Sequence, residues 1–492
     1  MKRLMVAAPH SGSGKTTFSM GLMAALVRRG LAVQPGKVGP DYIDTAHHER
    51  ICGRRAVNLD AWLLPRTVCE TLFVRRSADA DITVVEGVMG LYDGMGDDSA
   101  CSTAEMAKWL GVPVVLVVDA SGMAASAAAL VKGFCLYDPA VPIAGVVFNR
   151  VYGERHYALL RGAVERDCGV RCYGYLPPAE DIGIPSRHLG LLPAAELADA
   201  AARDERLAAR LEETVDVAGL LALAEQPVAR LDEPAGSSPA PAPFPPSGES
   251  ARPEPFVCGT ETEGDAGVPV RIAIAWDKAF HFYYEDGLAV LASMGAELVR
   301  FSPLLDAELP DCDGVYIGGG FPEMFATELE ANASMRRSVH RAAAAGLPIY
   351  GECGGYMYLS EGIVNAGGQR HAMCSVLPGT AVMKAKLSGQ FGYVEVFQPV
   401  ATILGPAGMA WHAHEFHHSA MEGESGLQTI RKAAGTLSWQ GGAMVGNTLG
   451  TYAHVHFAGE PELAASFLRH CRAGKSGRGC NGQACSGRTP EV

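Results

Sequence analysis

The first half of the chain alternates near-continuous apolar runs with segments of helical spacing. The Val-, Ile- and Leu-rich runs are RLMVAAP (3–9), DITVVEG (81–87), PVVLVVDAS (113–121) and PIAGVVFNR (142–150). Such runs are typical of strands that are buried on both faces of a parallel sheet. The Ala- and Leu-rich segments between them, such as residues 16–29, favour crossover helices. Residues 1–224 are therefore predicted to form a doubly wound α/β domain.

This alternation stops at residues 225–268 and resumes after them. The segment contains EPAGSSPAPAPFPPSGESARPEP, which has too little apolar surface to order itself and is predicted to be a linker. New apolar runs follow it, namely VRIAIAWD (270–277), GVYIGGG (314–320) and LPIYGECGG (347–355). They predict a second α/β domain over residues 269–472. The polar tail 473–492 is predicted to be disordered, and a metal site at its Cys480 and Cys485 is a weak alternative.

Composition and charge narrow the class of protein. Of the 492 residues, 48% are hydrophobic and 19% charged, and the net charge of −13 argues against a nucleic-acid-binding surface. No apolar run is long enough for a membrane span, and the start of the chain is too short for a signal peptide. The 13 cysteines form no CxxC pair, which favours reduced core residues. We therefore expect a soluble cytoplasmic enzyme without a nucleic-acid or membrane partner.

The first strand leads into a glycine-rich segment, APHSGSGKTT (8–17), that is typical of a phosphate-binding loop. Gly12 and Gly14 allow backbone N–H groups to surround phosphate oxygens, Lys15 supplies a positive charge, and Thr16 supplies a hydroxyl for Mg²⁺. Pro9 stands where the motif usually has its first glycine. Because the loop joins a strand to a helix, a nucleotide site is predicted, and the family resemblance given below implies that the nucleotide is ATP. Its residues are Gly12, Ser13, Gly14, Lys15, Thr16 and Thr17.

Two later segments supply acidic residues near this loop. GKVGPDYIDT (36–45) contains Lys37, Asp41 and Asp44, and VVEGVMGLYDG (84–94) contains Glu86 and Asp93. A carboxylate at the carboxyl end of a strand lies where open α/β sheets bind ligands. Glu86 is therefore the preferred Mg²⁺ ligand, with Thr16 and Asp44 beside it; the alternative is that these acids are ordinary solvated loop residues.

A second chemical motif is IYGECGGYMYL (349–359), in which Cys353 follows a strand directly. Gly351, Gly354 and Gly355 permit a sharp strand-to-helix turn that presents the side chain, as in a nucleophile elbow. A thiol at a helix N-terminus is expected to have a lowered pKa. Cys353 is therefore predicted to be a nucleophile.

A cysteine nucleophile needs a base, and two histidine-rich segments offer one. WHAHEFHHS (411–419) contains His412, His414, His417 and His418, whereas GTYAHVHF (450–457) contains His454 and His456. The alternative for the first segment is a metal site. Acyl transfer also needs N–H donors for an oxyanion, and Gly318–Gly320 and Gly354 are the candidates.

Taken together, these motifs resemble the glutamine-dependent amidotransferases that amidate corrinoids. YGECGGYMYL and GTYAHVHF resemble the class I-like glutaminase domain of these enzymes. APHSGSGKTT, GKVGPDYIDT and VVEGVMGLYDG resemble the preceding ATP-dependent ligase domain, which has a dethiobiotin-synthetase-like fold that tolerates variation at Pro9. The chain is thus similar to the cobyrinic acid a,c-diamide synthase family, and the resemblance covers both domains but neither the linker nor the tail.

The resemblance implies roles for individual residues. Cys353 would be the glutaminase nucleophile and His454 its base, with Gly319 and Gly354 at the oxyanion. Ordinary triad glutaminases carry a glutamate two residues after that histidine, where this chain has His456, so the resemblance implies a Cys–His pair without a triad acid. The implied ligase centre comprises Lys37, Asp41, Glu86 and Asp93.

The resemblance also implies a reaction. ATP and Mg²⁺ would convert a tetrapyrrole carboxylate to an acyl phosphate, and ammonia from L-glutamine would reach it by a sheltered route between the domains. Related substrates remain open, namely nickel-sirohydrochlorin, hydrogenobyrinic acid and the side chains that cobyric acid synthase amidates. Other classes of protein are a P-loop partitioning or regulatory ATPase and a cobalt-delivery protein that uses residues 412–418. The sequence leaves open the tetrapyrrole-binding residues, the order of the two amidations and the formation of a homodimer.

Overall fold

The structure is a computed structural model that describes residues 1–178, 186–187, 190–191, 199–226, 269–385 and 389–480. It divides into two compact units, Met1–Val257 and Cys258–Val492, whose boundary lies within the predicted linker. Most of that linker, residues 227–268, lies outside the described residues.

The first unit is built on a parallel sheet of seven strands. These are β1 (Lys2–Ala7), β2 (Val33–Val38), β3 (Val57–Leu59), β4 (Ile82–Glu86), β5 (Val114–Asp119), β6 (Ile143–Asn149) and β7 (Cys172–Leu176). Their spatial order is β3-β2-β4-β1-β5-β6-β7. The four apolar runs of the sequence therefore form β1, β4, β5 and β6, and the apolar side chains of these strands are buried, as a doubly wound fold requires.

Helices connect these strands and cover the sheet. They are α1 (Lys15–Arg28), α2 (Ile43–Cys52), α3 (Arg66–Ser77), α4 (Thr103–Leu110), α5 (Ser126–Tyr137), α6 (Glu154–Cys168), α7 (Ala200–Thr214) and α8 (Val217–Ala224). A short antiparallel pair, β8 (Ser186–Arg187) and β9 (Gly190–Leu191), precedes α7. Phe18 and Leu22 of α1 pack with Val84 and Val117 of the sheet in one hydrophobic core. This packing holds the start of α1 at the carboxyl edge of the sheet.

The second unit contains strands of three larger sheets and one short pair. In chain order they are β10 (Val270–Ala275), β11 (Phe280–Phe282), β12 (Ala296–Phe301), β13 (Gly314–Ile317), β14 (Gly319–Gly320), β15 (Ile349–Glu352), β16 (Gly362–Val364), β17 (Arg370–Ala372), β18 (Thr380–Met383), β19 (Gly392–Gln398), β20 (Met409–Glu415), β21 (Ser419–Glu422), β22 (Gln428–Lys432), β23 (Ser438–Gly441), β24 (Ala443–Val445) and β25 (Thr448–Thr451). The main sheet has the order β12-β10-β13-β15-β25-β24, and only β24 is antiparallel to its neighbour. Two four-stranded sheets, β17-β16-β18-β21 and β20-β19-β22-β23, and the pair β11-β14 complete the unit.

The helices of the second unit are α9 (Glu285–Ser293), α10 (Ala326–Ala331), α11 (Ala333–Ala344), α12 (Gly354–Leu359) and α13 (Pro461–Cys480), with a 3₁₀ helix at Pro322–Phe325. Ile317, Ile349, Tyr356 and Tyr358 lie together in the core between the main sheet and α12. Both units thus confirm the predicted α/β class.

The end of the chain differs from the prediction in one respect. Helix α13 continues to Cys480, beyond residue 472 where the sequence analysis ends the second domain. Residues 481–492, including Cys485, lie outside the described residues. The cysteines whose side chains are described are free thiols and are buried or half-buried. None of the helices in the described part of the chain is long and apolar enough to cross a membrane.

Close contact between α12 and β13 generates a stability prediction. A Cβ atom at Gly355 would lie 1.9 Å from the carbonyl oxygen of Ile317, and the Gly355 N–H donates to the Gly318 carbonyl at 3.0 Å. Because neither backbone can yield easily, we expect Gly355→Ala to lower the free energy of unfolding by about 3 kcal/mol, at the upper end of overpacking costs. The measurement is urea unfolding of the full chain.

The matched control is Gly474→Ala on α13, where the nearest atom to a Cβ is Cδ of Pro348 at 3.8 Å. This change should leave stability equal or raise it by up to about 1 kcal/mol, because alanine favours a helix over glycine. Equal effects of the two substitutions would contradict the close-contact argument.

Candidate functional site

The phosphate loop joins β1 to α1 and is fixed by contacts from β6. Gly12 and Gly14 have φ values of 82° and 101°, in the left-handed region that favours glycine. A Cβ atom at Gly14 would lie 2.1 Å from Nδ2 of Asn149, which donates to the Ser13 carbonyl at 3.0 Å. The loop therefore needs glycine at position 14 for space as well as for conformation. Thr16 and Thr17 follow in the first turn of α1.

The segment after β4 packs directly against this loop. Lys15 Nζ donates to the Met89 carbonyl at 2.5 Å, and a Cβ atom at Gly90 would lie 2.6 Å from the Pro9 carbonyl oxygen. Asp93 accepts the Gly90 N–H at 2.8 Å, so it shapes this backbone. Burial lowers the pKa of Lys15, and the charge of Glu86 partly opposes that shift.

A buried network of charges lies where β1, β2 and β4 end. Lys37 of β2 and Glu86 of β4 are register partners, and Lys37 Nζ lies 3.0 Å from Glu86 Oε1 and 2.7 Å from Asp44 Oδ2. Thr16 Oγ1 donates to the same Glu86 oxygen at 2.7 Å. Burial alone raises the pKa of Glu86, but the Lys37 charge and hydrogen bonds from His48 and Thr16 outweigh it and lower the pKa. Burial also disfavours the charged form of Lys37, but the negative charges of Asp44 and Glu86 outweigh burial and raise the Lys37 pKa.

Asp41 has a different position in this network. Its Oδ1 accepts the N–H groups of Ile43 and Asp44 at 2.9 and 2.8 Å, at the start of α2. Its other oxygen lies 3.9 Å from Lys37 Nζ. Burial and the neighbouring charge of Asp44 raise the pKa of Asp41 to about 6. The predicted ligase residues Lys37, Asp41 and Glu86 are therefore neighbours, whereas Asp93 contacts the adjoining backbone.

The oxygen atoms in this network suit Mg²⁺. Thr16 Oγ1 lies 2.7 Å from Glu86 Oε1 and 3.5 Å from Asp44 Oδ2. Mg²⁺ prefers oxygen ligands and commonly uses one or two carboxylates together with substrate phosphates and water. The described residues contain no group of three or more acidic, histidine or cysteine side chains arranged around a metal position. This finding includes the histidines at 412–418, so the structure gives no support to a metal site there.

Sequence reasoning missed three residues of this region. His48 of α2 is fully buried, and its Nε2 lies 2.9 Å from Glu86 Oε2. Asn149 and Arg150, at the end of β6, contact the carbonyls of Ser13 and Gly12. No motif marks His48, but Asn149 and Arg150 end an apolar strand beside the loop, which is a usable signal.

The second candidate site is the turn between β15 and α12. Cys353 has φ 48° and ψ −103°, so the predicted sharp turn with a strained non-glycine residue is present. Its N–H donates to the Thr451 carbonyl at 2.8 Å, and Glu352 and Thr451 are register partners in β15 and β25. This pairing places the segment with His454 beside the turn.

The backbone around Cys353 is crowded by the Gly318–Gly320 segment. A Cβ atom at Gly354 would lie 3.1 Å from the Gly320 nitrogen, and one at Gly319 would lie 2.6 Å from Cε1 of His454. The structure thus brings Gly319, Gly354 and His454 together. The Gly318 N–H is already bonded to the Tyr283 hydroxyl, which leaves it less suited to an oxyanion.

A carboxylate that sequence reasoning missed lies beside His454. Glu352 Oε2 is 3.7 Å from His454 Nδ1, although the position two residues after the histidine holds His456 as expected. Glu352 is 1% exposed and accepts hydroxyl hydrogen bonds from Tyr316 and Tyr350, both at 2.8 Å. This acid comes from the strand that precedes the cysteine, at a distance longer than a hydrogen bond, so a Cys–His pair without a triad acid stays a prediction.

The other histidines have structural neighbours. His456 stacks on Tyr284 with ring centroids 4.4 Å apart, and burial lowers its pKa to about 3. His414 exchanges backbone hydrogen bonds with His454, and its ring centroid lies 4.8 Å from that of His454. The two histidine-rich segments are therefore neighbours in space.

The expected lowering of the Cys353 pKa is wrong for this structure. Burial raises it well above the value of a free thiol, and the nearby charge of Glu323 raises it further. The Gly354 N–H, which hydrogen-bonds the thiol, opposes the shift but does not overcome it. Helix α12 has only six residues, and the site excludes water, so desolvation of the thiolate is the larger effect. Burial therefore disfavours the thiolate form of Cys353 in this structure.

This shift predicts slow alkylation of Cys353 at neutral pH. The rate with iodoacetamide should keep rising through about pH 10, because only the thiolate reacts. Glutathione, an exposed thiol with a pKa of about 8.5, should level off above about pH 9.5 under the same conditions. Mass spectrometry of the Cys353 peptide gives the rate. A plateau below about pH 8 would show a lowered pKa and contradict this assignment.

Comparison with known proteins agrees with this two-part architecture. Residues 4–191 match the CobQ/CobB/MinD/ParA nucleotide binding domain, and residues 271–462 match the CobB/CobQ-like glutamine amidotransferase domain. The chain is 42% identical over 478 residues to a cobyrinate a,c-diamide synthase of Streptococcus sanguinis, covering 96% of this chain and 99% of the relative.

Two further relatives carry the same name. The Salmonella typhimurium protein is 42% identical over 95% of this chain and 98% of its own length. The Listeria innocua protein is 41% identical over 94% of this chain and 98% of its own length. The chain therefore belongs to the cobyrinate a,c-diamide synthase family of amidating ligases, with a nucleotide-binding domain followed by a glutamine amidotransferase domain.

Proposed function

We propose that the protein uses ATP and L-glutamine to amidate the a and c carboxylates of cobyrinic acid through acyl phosphates. One observation carries this proposal: a single chain contains a phosphate loop beside the Lys37–Glu86 network and a strained cysteine turn beside His454. The first can activate an acid, and the second can release ammonia. The names of the relatives support the choice of substrate.

In the ligase site, the substrate carboxylate attacks the γ-phosphorus of ATP and ADP leaves. Lys15 and the loop N–H groups would hold the phosphates. The positive charge of Lys37 would offset negative charge on the transferring phosphoryl group, which the buried carboxylates cannot do. Mg²⁺, when held by oxygens of Thr16 and of Glu86 or Asp44, would neutralise charge on the phosphates. Ammonia then attacks the acyl carbon, the C–O bond to phosphate breaks, and the amide forms. Asp41, with a pKa of about 6, could accept a proton from the attacking amine.

In the glutaminase site, Cys353 Sγ attacks the amide carbon of glutamine while its proton passes to His454. Because burial disfavours the thiolate, proton transfer accompanies attack. The N–H groups of Gly354 and of the Gly319–Gly320 segment would bind the oxyanion. His454 then protonates the leaving nitrogen, ammonia departs and a thioester remains. Water attacks the thioester with His454 as base, which releases glutamate and restores the thiol.

We assign Glu352 as a positioning residue for His454. It is held by Tyr316 and Tyr350, so it can fix the imidazole and stabilise its protonated form. This is the role that a third residue has in other nucleophile–base pairs.

The first test compares nitrogen sources in two variants. With cobyrinic acid, ATP and Mg²⁺, the wild type should yield the diamide from glutamine or from ammonium salt. Cys353→Ala should lose glutamine-dependent synthesis by at least about 10³-fold, as expected for loss of a nucleophile, and retain ammonia-dependent synthesis. Lys15→Ala should lose both, because it acts on phosphate charge. Product mass is the readout.

The same assay with other tetrapyrroles decides which tetrapyrrole is the substrate. A diamide from nickel-sirohydrochlorin or hydrogenobyrinic acid alone would keep the mechanism and overturn the choice of cobyrinic acid. ATP hydrolysis without any amide would overturn the ligase assignment in favour of a regulatory ATPase.

The second test concerns Glu352→Gln. We expect kcat for glutamine hydrolysis to fall by about 10- to 100-fold, less than the 10²–10⁴-fold that a complete general base supplies. Tyr316→Phe, which removes one hydroxyl hydrogen bond to Glu352 and keeps the carboxylate, is the control and should lower kcat less than Glu352→Gln does. An equal loss in the two variants would indicate a structural role only.

A further inference from the structure

A cavity of about 190 Å³ lies on the strand-rich side of the second unit, and the proposed chemistry does not yet use it. Its described lining comes from the residues of and between β20 and β23, from Gly442, from the segment after β25 and from Gln390 before β19. The residues that matter here are Glu415, His417, Glu424, Gly442 and Tyr452. Glu415 and His417 belong to the histidine-rich segment 411–419, for which the sequence offered only a base or a metal site.

Glu415 has an oxygen atom with no partner among the described residues. The side chain is 1% exposed, and its Oε2 lies 3.3 Å from His417 Nε2. Its Oε1 is buried without a hydrogen bond in the described part of the chain. Burying a carboxylate oxygen without a donor is costly, so such an atom indicates a ligand with N–H or O–H groups.

The other acidic residue of the cavity is already bonded. Glu424 Oε2 accepts the Tyr356 hydroxyl at 2.9 Å and the Gly442 N–H at 2.7 Å. Glu424 therefore adds negative charge, whereas Glu415 supplies the open acceptor. Together they favour a cationic group over a carboxylate.

Contacts of Tyr452 in the cavity wall link the cavity to the turn that carries the proposed nucleophile. Tyr452 directly follows Thr451, whose carbonyl accepts the Cys353 N–H at 2.8 Å. The Tyr452 hydroxyl lies 2.7 Å from Ser419 Oγ, which in turn lies 3.6 Å from Met357 Sδ in the helix that Cys353 begins. His417 stacks on Tyr452 with ring centroids 3.8 Å apart. The charge of Glu415 is also close enough to raise the pKa of Cys353.

We propose that this cavity is the amino-acid end of the glutamine site, in which Glu415 Oε1 accepts a hydrogen bond from the α-ammonium group of L-glutamine. The inference rests on the proposed glutaminase function. Glutamine carries its ammonium group three carbon–carbon bonds from the amide carbon, so an amide at Cys353 places that group in an adjoining pocket. A site built to bond an N–H group rejects an analogue that lacks it, because the buried acceptor is then unpaired.

The test measures binding rather than turnover. Full-length Cys353→Ala protein binds ligand without reacting, and calorimetry gives Kd for L-glutamine and for glutaramate, which lacks only the α-amino group. We expect the parent to bind glutamine on the order of 100-fold more tightly than glutaramate, as for a charge-assisted hydrogen bond. Adding Glu415→Gln should weaken glutamine binding by about 10- to 100-fold and leave the Kd for glutaramate nearly unchanged.

Glu422→Gln is the matched control. Glu422 lies on β21, its side chain is 61% exposed, and it pairs with Lys384 outside the cavity. Glu422→Gln therefore removes the same charge as Glu415→Gln without removing a group that lines the cavity. It should leave both dissociation constants unchanged. The retained affinity for glutaramate also shows that the Glu415→Gln protein is folded.

Several outcomes would overturn the subsite. Equal weakening of both ligands by Glu415→Gln would show a structural role, and an equal effect of Glu422→Gln would show a general charge effect. A parent that binds both ligands equally would refute the ammonium subsite alone. A parent that binds neither ligand would refute the glutaminase proposal as well. Glutamine hydrolysis by the wild type separates these two outcomes: it persists when only the ammonium subsite is wrong, and it is absent when the glutaminase proposal is wrong.

Discussion

Parallel pairing of neighbouring strands is the constraint on which both candidate sites depend. Lys37 and Glu86 are register partners in β2 and β4, and the loop after β1 ends on the same edge of the sheet. Two opposite charges can be buried there only because each is paired and hydrogen-bonded. Thr16 reaches Glu86 because α1 starts at that edge. A shift of β2 by one residue would turn Lys37 to the other face and leave Glu86 without its counter-charge.

The second site uses the same pairing for a different electrostatic purpose. β15 ends beside β25, so Cys353 and the His454 segment meet without any charged pair between the strands. Close backbone approach at Gly355 and Gly320 removes water from the turn. As a consequence burial raises the Cys353 pKa, whereas in the first site the Lys37 charge and hydrogen bonds outweigh burial and lower the Glu86 pKa. The two candidate sites therefore differ in their electrostatics: the first buries opposite charges in pairs, and the second disfavours a charged side chain.

Histidines of both histidine-rich segments contact one another and nearby aromatic and acidic side chains. His414 supports the backbone of His454, and His456 is a neutral ring stacked on Tyr284. His417 packs on Tyr452 and contacts Glu415, at the wall of the cavity beside the nucleophile. The residue in this segment with the clearest chemical consequence is therefore Glu415, an acid among histidines. Its Oε1 is buried without a hydrogen bond among the described residues, and the proposed ammonium subsite rests on this atom.

By itself, the sequence determined the α/β class, the phosphate loop and the cysteine turn, because strand burial, glycine conformations and turn chemistry are local properties. Glycines 12 and 14 need positive φ, and Cys353 sits in a glycine frame, so their spacing is readable along the chain. Only the tertiary structure decided that Glu352 lies beside His454, that His48 contacts Glu86 and that the Cys353 pKa is raised. Contacts across strands and the exclusion of water depend on residues far apart in sequence, and no local pattern encodes them.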